Sequence, residues 1–422
     1  MKRRSAEVEE GTTHSLGSQS TQRDWASMPT ASPRSRRLHI LTVARHPVGG
    51  IRTYLKYTYN QFDPPSYKFT IVAPRFPESS LIPGDLSEFE VKLLLTDEEG
   101  MNSGLWRTTS AVLNRSPVDL IHSQGLTAGI IVILANWRLR RPHVITHHDV
   151  FRRDQFAGSR GWLKRRLLAT LLTRSNLVVC VSDDARQNFS EFLPWFPTEK
   201  LAVVPNGIDT TAYAEIAGRR ALAIGAGRTD SPFTFGFLGR FMPQKGFDVL
   251  IAAVAGLVRN SGPLWPFRIM AVGQDDCIGR YKAEIRRRAL GAFFEFPGFC
   301  NSVADLLGEL DCVVVPSRWE AAGLVAMEAM VAGCPLVASD CVGLREVVRG
   351  TPALVARAED SQSLAQQMRL AMERKAELRT LFGNFASVAR DRFDVRRASA
   401  AMERIFSQLL NPEKPHRASE PS

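Results

Sequence analysis

Pro316-Ser317-Arg318-Trp319-Glu320-Ala321-Ala322-Gly323-Leu324-Val325-Ala326-Met327-Glu328-Ala329-Met330 decides how this chain is organised. The stretch follows a four-residue apolar strand, Cys312 to Val315, and enters a helical run over Leu324 to Val331 that closes on the small-residue turn Ala332-Gly333-Cys334-Pro335. Strand, loop and helix in that order form the unit of a parallel sheet covered by helices, whose ligand groups gather in the loops beyond the carboxyl ends of the strands. Glu320 stands in that loop, and Glu328 lies eight residues further on, in an otherwise apolar helix. A carboxylate among apolar neighbours needs a partner, which ligand hydroxyls can supply; the competing reading is a helix with one solvated Glu.

Outward from this unit the alternation continues. Strands are expected at Phe233–Leu238, Arg268–Val272, Phe293–Phe296 and Leu336–Ala338, with a helix from Phe247 to Val258. Upstream a second series runs through Leu38–Val43, Phe69–Ala73, Phe89–Leu95, Leu120–His122, His143–Thr146, Leu177–Ser182 and Ala202–Val204. The pattern weakens after Pro205-Asn206-Gly207-Ile208-Asp209, so residues 206–232 are read as a linker. The expected layout is a first doubly wound domain over 37–205, a second over 233–392, and a closing helix over 393–411. Polar stretches at 1–36 and 412–422 bury too little apolar surface to offset their ordering entropy and are expected to be disordered.

A length of 422 residues with 44% hydrophobic and 23% charged side chains fits two globular domains. No apolar run has the length of a membrane span; the longest, Leu126 to Trp137, is read as a buried helix or a strand pair. Met1 to Arg4 lead into no apolar stretch, so a cytoplasmic address is expected. Six cysteines without a Cys-x-x-Cys pair point to buried free thiols, a zinc site being the alternative. The net charge of +11 suits phosphate-rich ligands, anionic lipid or nucleic acid, yet no interleaved aromatic and basic motif supports the last.

Three further loops carry candidate chemistry. Arg240 and Lys245 precede the helix at Phe247, where free N–H groups and the helix dipole favour an anion, although a solvated turn is the plainer reading. His147-His148-Asp149, ending a strand, suits metal binding, base catalysis or a hydrogen bond to a hydroxyl, or else a structural role. Gly49-Gly50 lets a ligand approach backbone N–H groups. Separately, residues 161–174 interleave Lys164, Arg165, Arg166 and Arg174 with Trp162 and five leucines. That helix either covers a core with a solvated basic face or rests on anionic lipid at the inner face of a membrane.

Taken in order, these loops resemble the retaining nucleotide-sugar glycosyltransferases of family 4, which have the GT-B fold: α/β, two doubly wound Rossmann-like domains facing across a cleft. The resemblance spans about residues 38 to 410, and its most specific part is the Glu320-x7-Glu328 element. Val204 to Asp209, the loop from Gly239 to Gly246, and Val342 to Val348 add to it. It implies that Arg240 and Lys245 hold the donor diphosphate with the N–H groups of Gly323 and Leu324. By the same resemblance Glu328 binds the ribose, Glu320 contacts the transferred sugar, and the base packs near Phe299. His148 would reach the donor sugar from the first domain, and Gly50 would approach the diphosphate or the acceptor. No metal or other cofactor is implied; the co-substrate is a UDP- or GDP-linked sugar, and the acceptor a glycan, lipid-linked or small-molecule hydroxyl. The chain contains no Asp-x-Asp, the pair that holds a cation in the GT-A arrangement. The family usually has a bulkier residue where Ala322 stands and a second glycine where Val342 stands. A nucleotide-sugar binding protein that has lost turnover, and an epimerase or hydrolase on the same fold, are the alternatives.

Overall fold

The computed structural model describes residues 36–97, 99–223, 232–259, 266–273, 277–298 and 302–411. Apart from Arg36, the tails expected at 1–36 and 412–422 lie outside the described residues, as does Phe299.

The first sheet contains β1 (Leu38–Ala44), β2 (Tyr67–Pro74), β3 (Glu90–Thr96), β4 (Leu120–Gln124), β5 (His143–His147), β6 (Leu177–Cys180) and β7 (Leu201–Val203). Its helices are α1 (Gly50–Tyr59), α2 (Ile82–Asp85), α3 (Met101–Arg115), α4 (Leu126–Ala135), α5 (Gly161–Leu172) and α6 (Asp183–Phe192). Next comes α7 (Thr211–Ala223). The second sheet contains β8 (Phe233–Leu238), β9 (Phe267–Val272), β10 (Phe294–Gly298), β11 (Cys312–Val315), β12 (Leu336–Ser339) and β13 (Leu354–Ala356). Around it lie α8 (Phe247–Arg259), α9 (Ile278–Arg287), α10 (Val303–Glu309), α11 (Leu324–Val331), α12 (Leu344–Val348), α13 (Ser361–Glu373) and α14 (Lys375–Arg392), and α15 (Val395–Leu410) ends the chain.

The strand orders are β3-β2-β1-β4-β5-β6-β7 and β10-β9-β8-β11-β12-β13, and the paired strands run parallel. Both orders reverse beside their first strand, between β1 and β4 and between β8 and β11. At such a switch point neighbouring loops leave the sheet in opposite directions and open a crevice. The candidate loops after β1, β8 and β11 therefore lie at the two crevices. Strands such as β11 (Cys-Val-Val-Val) are apolar throughout because helices cover both faces.

The stretch read as a linker departs from expectation. Within 206–232, Thr211–Ala223 forms α7, and its Tyr213 and Ile216 enter the second domain's core. Arg220 fastens it by donating to the carbonyls of Leu307 (2.8 Å) and Leu310 (2.7 Å). The apolar stripe Tyr213, Ile216, Ala217 has helical spacing, and the helix runs through Gly218.

After α14 the chain returns. Ala398, Met402, Ile405 and Phe406 of α15 complete the first domain's core, and Ser399 Oγ donates to the Thr58 carbonyl at 2.8 Å. The two crossings between domains touch: Ile208 N donates to Phe393 O (2.8 Å) and Val395 N to Ile208 O (3.1 Å). A Cβ on Gly207 would come within 2.5 Å of Val395 Cα, so a side chain at this position would force the crossings apart.

Candidate active site

In the second domain the loops after β8 and β11 are fastened to each other. Arg318 N donates to Gln244 O at 2.8 Å, Gln244 Nε2 to Trp319 O at 3.1 Å, and the Arg318 guanidinium to Pro243 O at 2.7 Å and Asp248 at 2.6 Å. Gly246 makes this approach possible, since it sits at φ 66° and a Cβ there would fall 2.0 Å from Pro316 O. The consequence is an ion pair. Lys245 Nζ lies 2.6 Å from Glu320 Oε1, which also accepts from Ser317 Oγ at 2.8 Å. Arg240, in the same loop, is exposed, and its side chain would lie 3.8 Å from a Cβ on Gly49 of the first domain.

Gly323 caps α11 in the left-handed conformation (φ 65°), so the helix begins abruptly at Leu324. The first turn leaves its backbone N–H groups without intrahelical acceptors and presents a positive dipole end. One turn further on, Glu328 is 6% exposed. Burial pushes its carboxyl up to about 7, against the opposing pull of the Tyr213 hydroxyl, the Lys245 charge and the Tyr57 hydroxyl. Glu320 and Glu328 thus flank one lysine, Glu320 bonded to it and Glu328 within its field.

The first domain supplies the opposite wall. His147 and His148 diverge, as consecutive residues leaving a strand do. His147 packs between Phe151 and Phe189. His148 faces Tyr54, ring centroids 4.6 Å apart, and its Nε2–H donates to Gln124 Oε1 at 2.7 Å. Burial, with His147 adding to it, lowers His148 to about 3, so the ring is neutral at ordinary pH and its Nδ1 is left as an acceptor. Asp149 comes close enough to Glu320 for the two charges to interact; its carboxyl is raised chiefly by burial. Of the glycine pair, Gly49 carries the backbone demand (φ 54°), whereas Gly50 opens α1 with free space where a Cβ would stand.

Further contacts close the wall, and the sequence reading had paired none of them. Ser182 Oγ donates to Ala321 O at 2.6 Å. Buried Asp184 accepts from Arg345 Nε (2.8 Å) and Gly343 N (3.0 Å), while the Glu346 carboxylate accepts from Asp183 N and Asp184 N at the head of α6. The Arg152 guanidinium lies 4.3 Å from the Trp319 ring centre. Tyr57 and Tyr213, hydroxyls 3.2 Å apart, were also missed; Tyr213 lay in the segment taken as a linker. Among the sequence candidates, the structure pairs Lys245 with Glu320, sets Glu328 in the field of Lys245 and Gly323 and Leu324 at the head of α11, and brings Arg240 toward Gly49; His148 and Gly50 stand in the first domain, His148 next to the Asp149 that feels the Glu320 charge. Phe299 follows β10, whose last residue Gly298 adopts φ 90°.

Comparison with known proteins gives two family matches: Glycosyltransferase Family 4 over residues 48–212, and Glycosyl transferases group 1 over residues 232–374. A D-inositol 3-phosphate glycosyltransferase of Jonesia denitrificans is 29% identical over 58% of this chain; the match spans 61% of that relative's length. The alpha-maltose-1-phosphate synthase of Mycolicibacterium smegmatis is 25% identical over 62% of this chain and 70% of its own. Among solved structures, Anabaena HepE in complex with UDP-glucose superposes with a TM-score of 0.72 at 23% identity, over 88% of this chain and all of that one. The sucrose-phosphate synthase of Thermosynechococcus elongatus gives 0.69 at 19% identity, over 89% of this chain and all of its own.

Proposed function

The chain belongs to the GT-B glycosyltransferases of the family 4 type, and we propose that it moves a sugar from a nucleoside diphosphate donor to an acceptor hydroxyl with retention of anomeric configuration. The observation that carries the reading is the Lys245–Glu320 pair beside the start of α11, with His148 on the opposite wall. Departure of the diphosphate leaves negative charge on the nucleotide, which Arg240, Lys245 and the N–H groups at Gly323 and Leu324 stabilise where it develops. Because these groups meet the leaving charge, the reaction is proposed to run without a metal ion; undiminished turnover in excess chelator is the expected result.

Glu320 accepts hydroxyl hydrogens of the transferred sugar, and Glu328 those of the ribose. Neutral His148 orients a sugar hydroxyl through Nδ1, its other nitrogen being committed to Gln124. A donor phosphate oxygen takes the acceptor proton on the face the nucleotide leaves. The address proposed is the cytoplasm, in keeping with free thiols at the five described cysteines.

UDP-glucose, the ligand of the HepE complex, is the first donor to test, and inositol phosphate, named in the relatives, the first acceptor. Thermal shift and nucleotide release over UDP-, GDP- and ADP-sugars name the donor. Stabilisation by one donor, lost in Lys245→Ala and Glu328→Ala, is expected. Binding without product for any acceptor would instead indicate a nucleotide-sugar binding protein, and release of free sugar a hydrolase.

A further inference from the structure

Helix α5 does only part of what a core helix does. It buries only Gly161, Ala169 and Leu172, while Trp162, Leu163 and Leu167 are 53%, 61% and 59% exposed. Leu168, Ala169 and Leu172 do cover a core, as a core helix would, but an ordinary surface helix turns its other large apolar side chains inward as well, and here three of them face out. The exposed apolar surface continues onto neighbouring elements. Trp195, beyond α6, meets Trp162 edge-on at 5.9 Å, and the Arg166 guanidinium lies over both rings at 5.4 and 5.3 Å. Trp137, past the end of α4, is exposed in the same way and covered by Arg174 at 4.2 Å.

The segments that hold α4 and α5 carry charge of one sign. No Asp or Glu occurs between Asp119 and Asp149, the stretch that holds α4, nor between Asp154 and Asp183, which holds α5. Those two stretches contain eight Lys and Arg residues. Tryptophans with an apolar body and a polar edge, arginines stacked on their rings and leucines projecting between them match the boundary of a bilayer. There the headgroups carry negative charge and the acyl chains begin below them. A second copy of the chain is a poor occupant, because a twofold contact through this face would set cations against cations.

We propose that the face formed by α5, Trp195 and the end of α4 docks the protein on an anionic bilayer, with Trp162, Leu163 and Leu167 entering the headgroup layer and Lys164, Arg165 and Arg166 meeting its phosphates. Three apolar side chains and a basic cluster together are the two signals that stable but reversible anchoring needs. The proposal stands apart from the proposed reaction, since vesicle binding involves neither donor nor acceptor.

The test is flotation of the full chain with phosphatidylcholine vesicles and with mixed phosphatidylcholine–phosphatidylglycerol vesicles, at low and high salt. Wild type should float with the mixed vesicles at low salt and stay behind with phosphatidylcholine alone. Leu163→Glu/Leu167→Glu and Lys164→Glu/Arg166→Glu should each lower the bound fraction roughly tenfold or more. All four positions are solvent-facing, and unchanged melting temperatures in both variants would show that the fold is intact. Absence of flotation with mixed vesicles overturns the proposal. So does full binding by the leucine variant, because a purely coulombic patch needs no leucines. A dimer in light scattering that the leucine variant disperses, without flotation, assigns the face to self-association instead.

Discussion

The two domains share a winding and differ in where they keep their polar groups. In the second, β11 and β12 are almost wholly apolar, and the reactive side chains stand on loops and one helix around Lys245. In the first, the strands themselves carry them: His122, Ser123, Gln124, His143, Thr146 and His147 are buried within β4 and β5, bonded in pairs such as Ser123 with His143 and His122 with Thr146. No histidine occurs between Phe233 and Phe393. A polar network laid into a sheet holds His148 in one orientation but ties the domain's stability to proton concentration. Loops on an apolar sheet put the charge chemistry at the cleft, and with it the pH dependence that goes with buried Glu328.

The comparison breaks first at Lys245. Its replacement by Ala should lower kcat/KM by about 100- to 1,000-fold, the usual cost of one group stabilising developing charge, and lower the melting temperature as well, because the buried Glu320 carboxylate loses its cation. A mutant losing less than tenfold would remove the second domain's loop from the chemistry. Gly246→Ala should cost about 3 kcal/mol in urea unfolding, because a left-handed backbone and a carbonyl 2.0 Å from the new Cβ cannot both be accommodated. Activity should fall with it as the two loops separate.

Acid should find the first domain. Burial lowers His143 and His148 to about 3 and His147 to about 4, each below the value of 6.5 that holds in the unfolded chain. The unfolded state therefore binds more protons between those values, and stability present above pH 6.5 is lost as the pH falls, by about 1.4 kcal/mol per histidine per pH unit. Urea midpoints at pH 7, 6 and 5 measure it, and His143→Gln should flatten the slope by one proton.

At the cleft the sign reverses. Glu328, raised to about 7, is half protonated at neutral pH in the empty site, and ribose hydroxyls favour its ionised form. Donor affinity should weaken about tenfold per pH unit below 7 and level off above it, with Glu328→Gln removing the dependence in calorimetric titrations. The smallest expected effect belongs to the contact between the walls. Asp184→Asn leaves Arg345, which is partly in water, without its charge partner and should cost about 1 kcal/mol, seen as a lower melting temperature with kcat largely kept.

Much of this was legible because it is local. The run from Cys312 to Met330 gave strand, loop and helix directly, and the β8 loop announced its cations by their place before a helix. What stayed hidden depends on distant partners. Residue type at Asp184 or Glu346 says nothing of a contact across some 160 positions, and Gln124, past the strand expected at Leu120–His122, carried no reading until the fold set it against His148. Helix α7 was missed although its Ala, Arg and Leu residues favour a helix; what the sequence could not show is that Tyr213 and Ile216 are buried in the second domain's core. The three-residue β13 leaves too short a pattern for alternation to register.

The pairing of Ile208 with Phe393 and Val395 has a mechanical meaning. The chain passes between its halves twice, and because those passages are bonded side by side they act as a single axle rather than two straps. Sliding one half along the other would have to break both hydrogen bonds and drive Gly207 against the Val395 backbone, whereas swinging about the axle disturbs neither. Relative movement of the two halves should therefore be a rotation about this axle, with Val181 and Asp183 lying directly beside it.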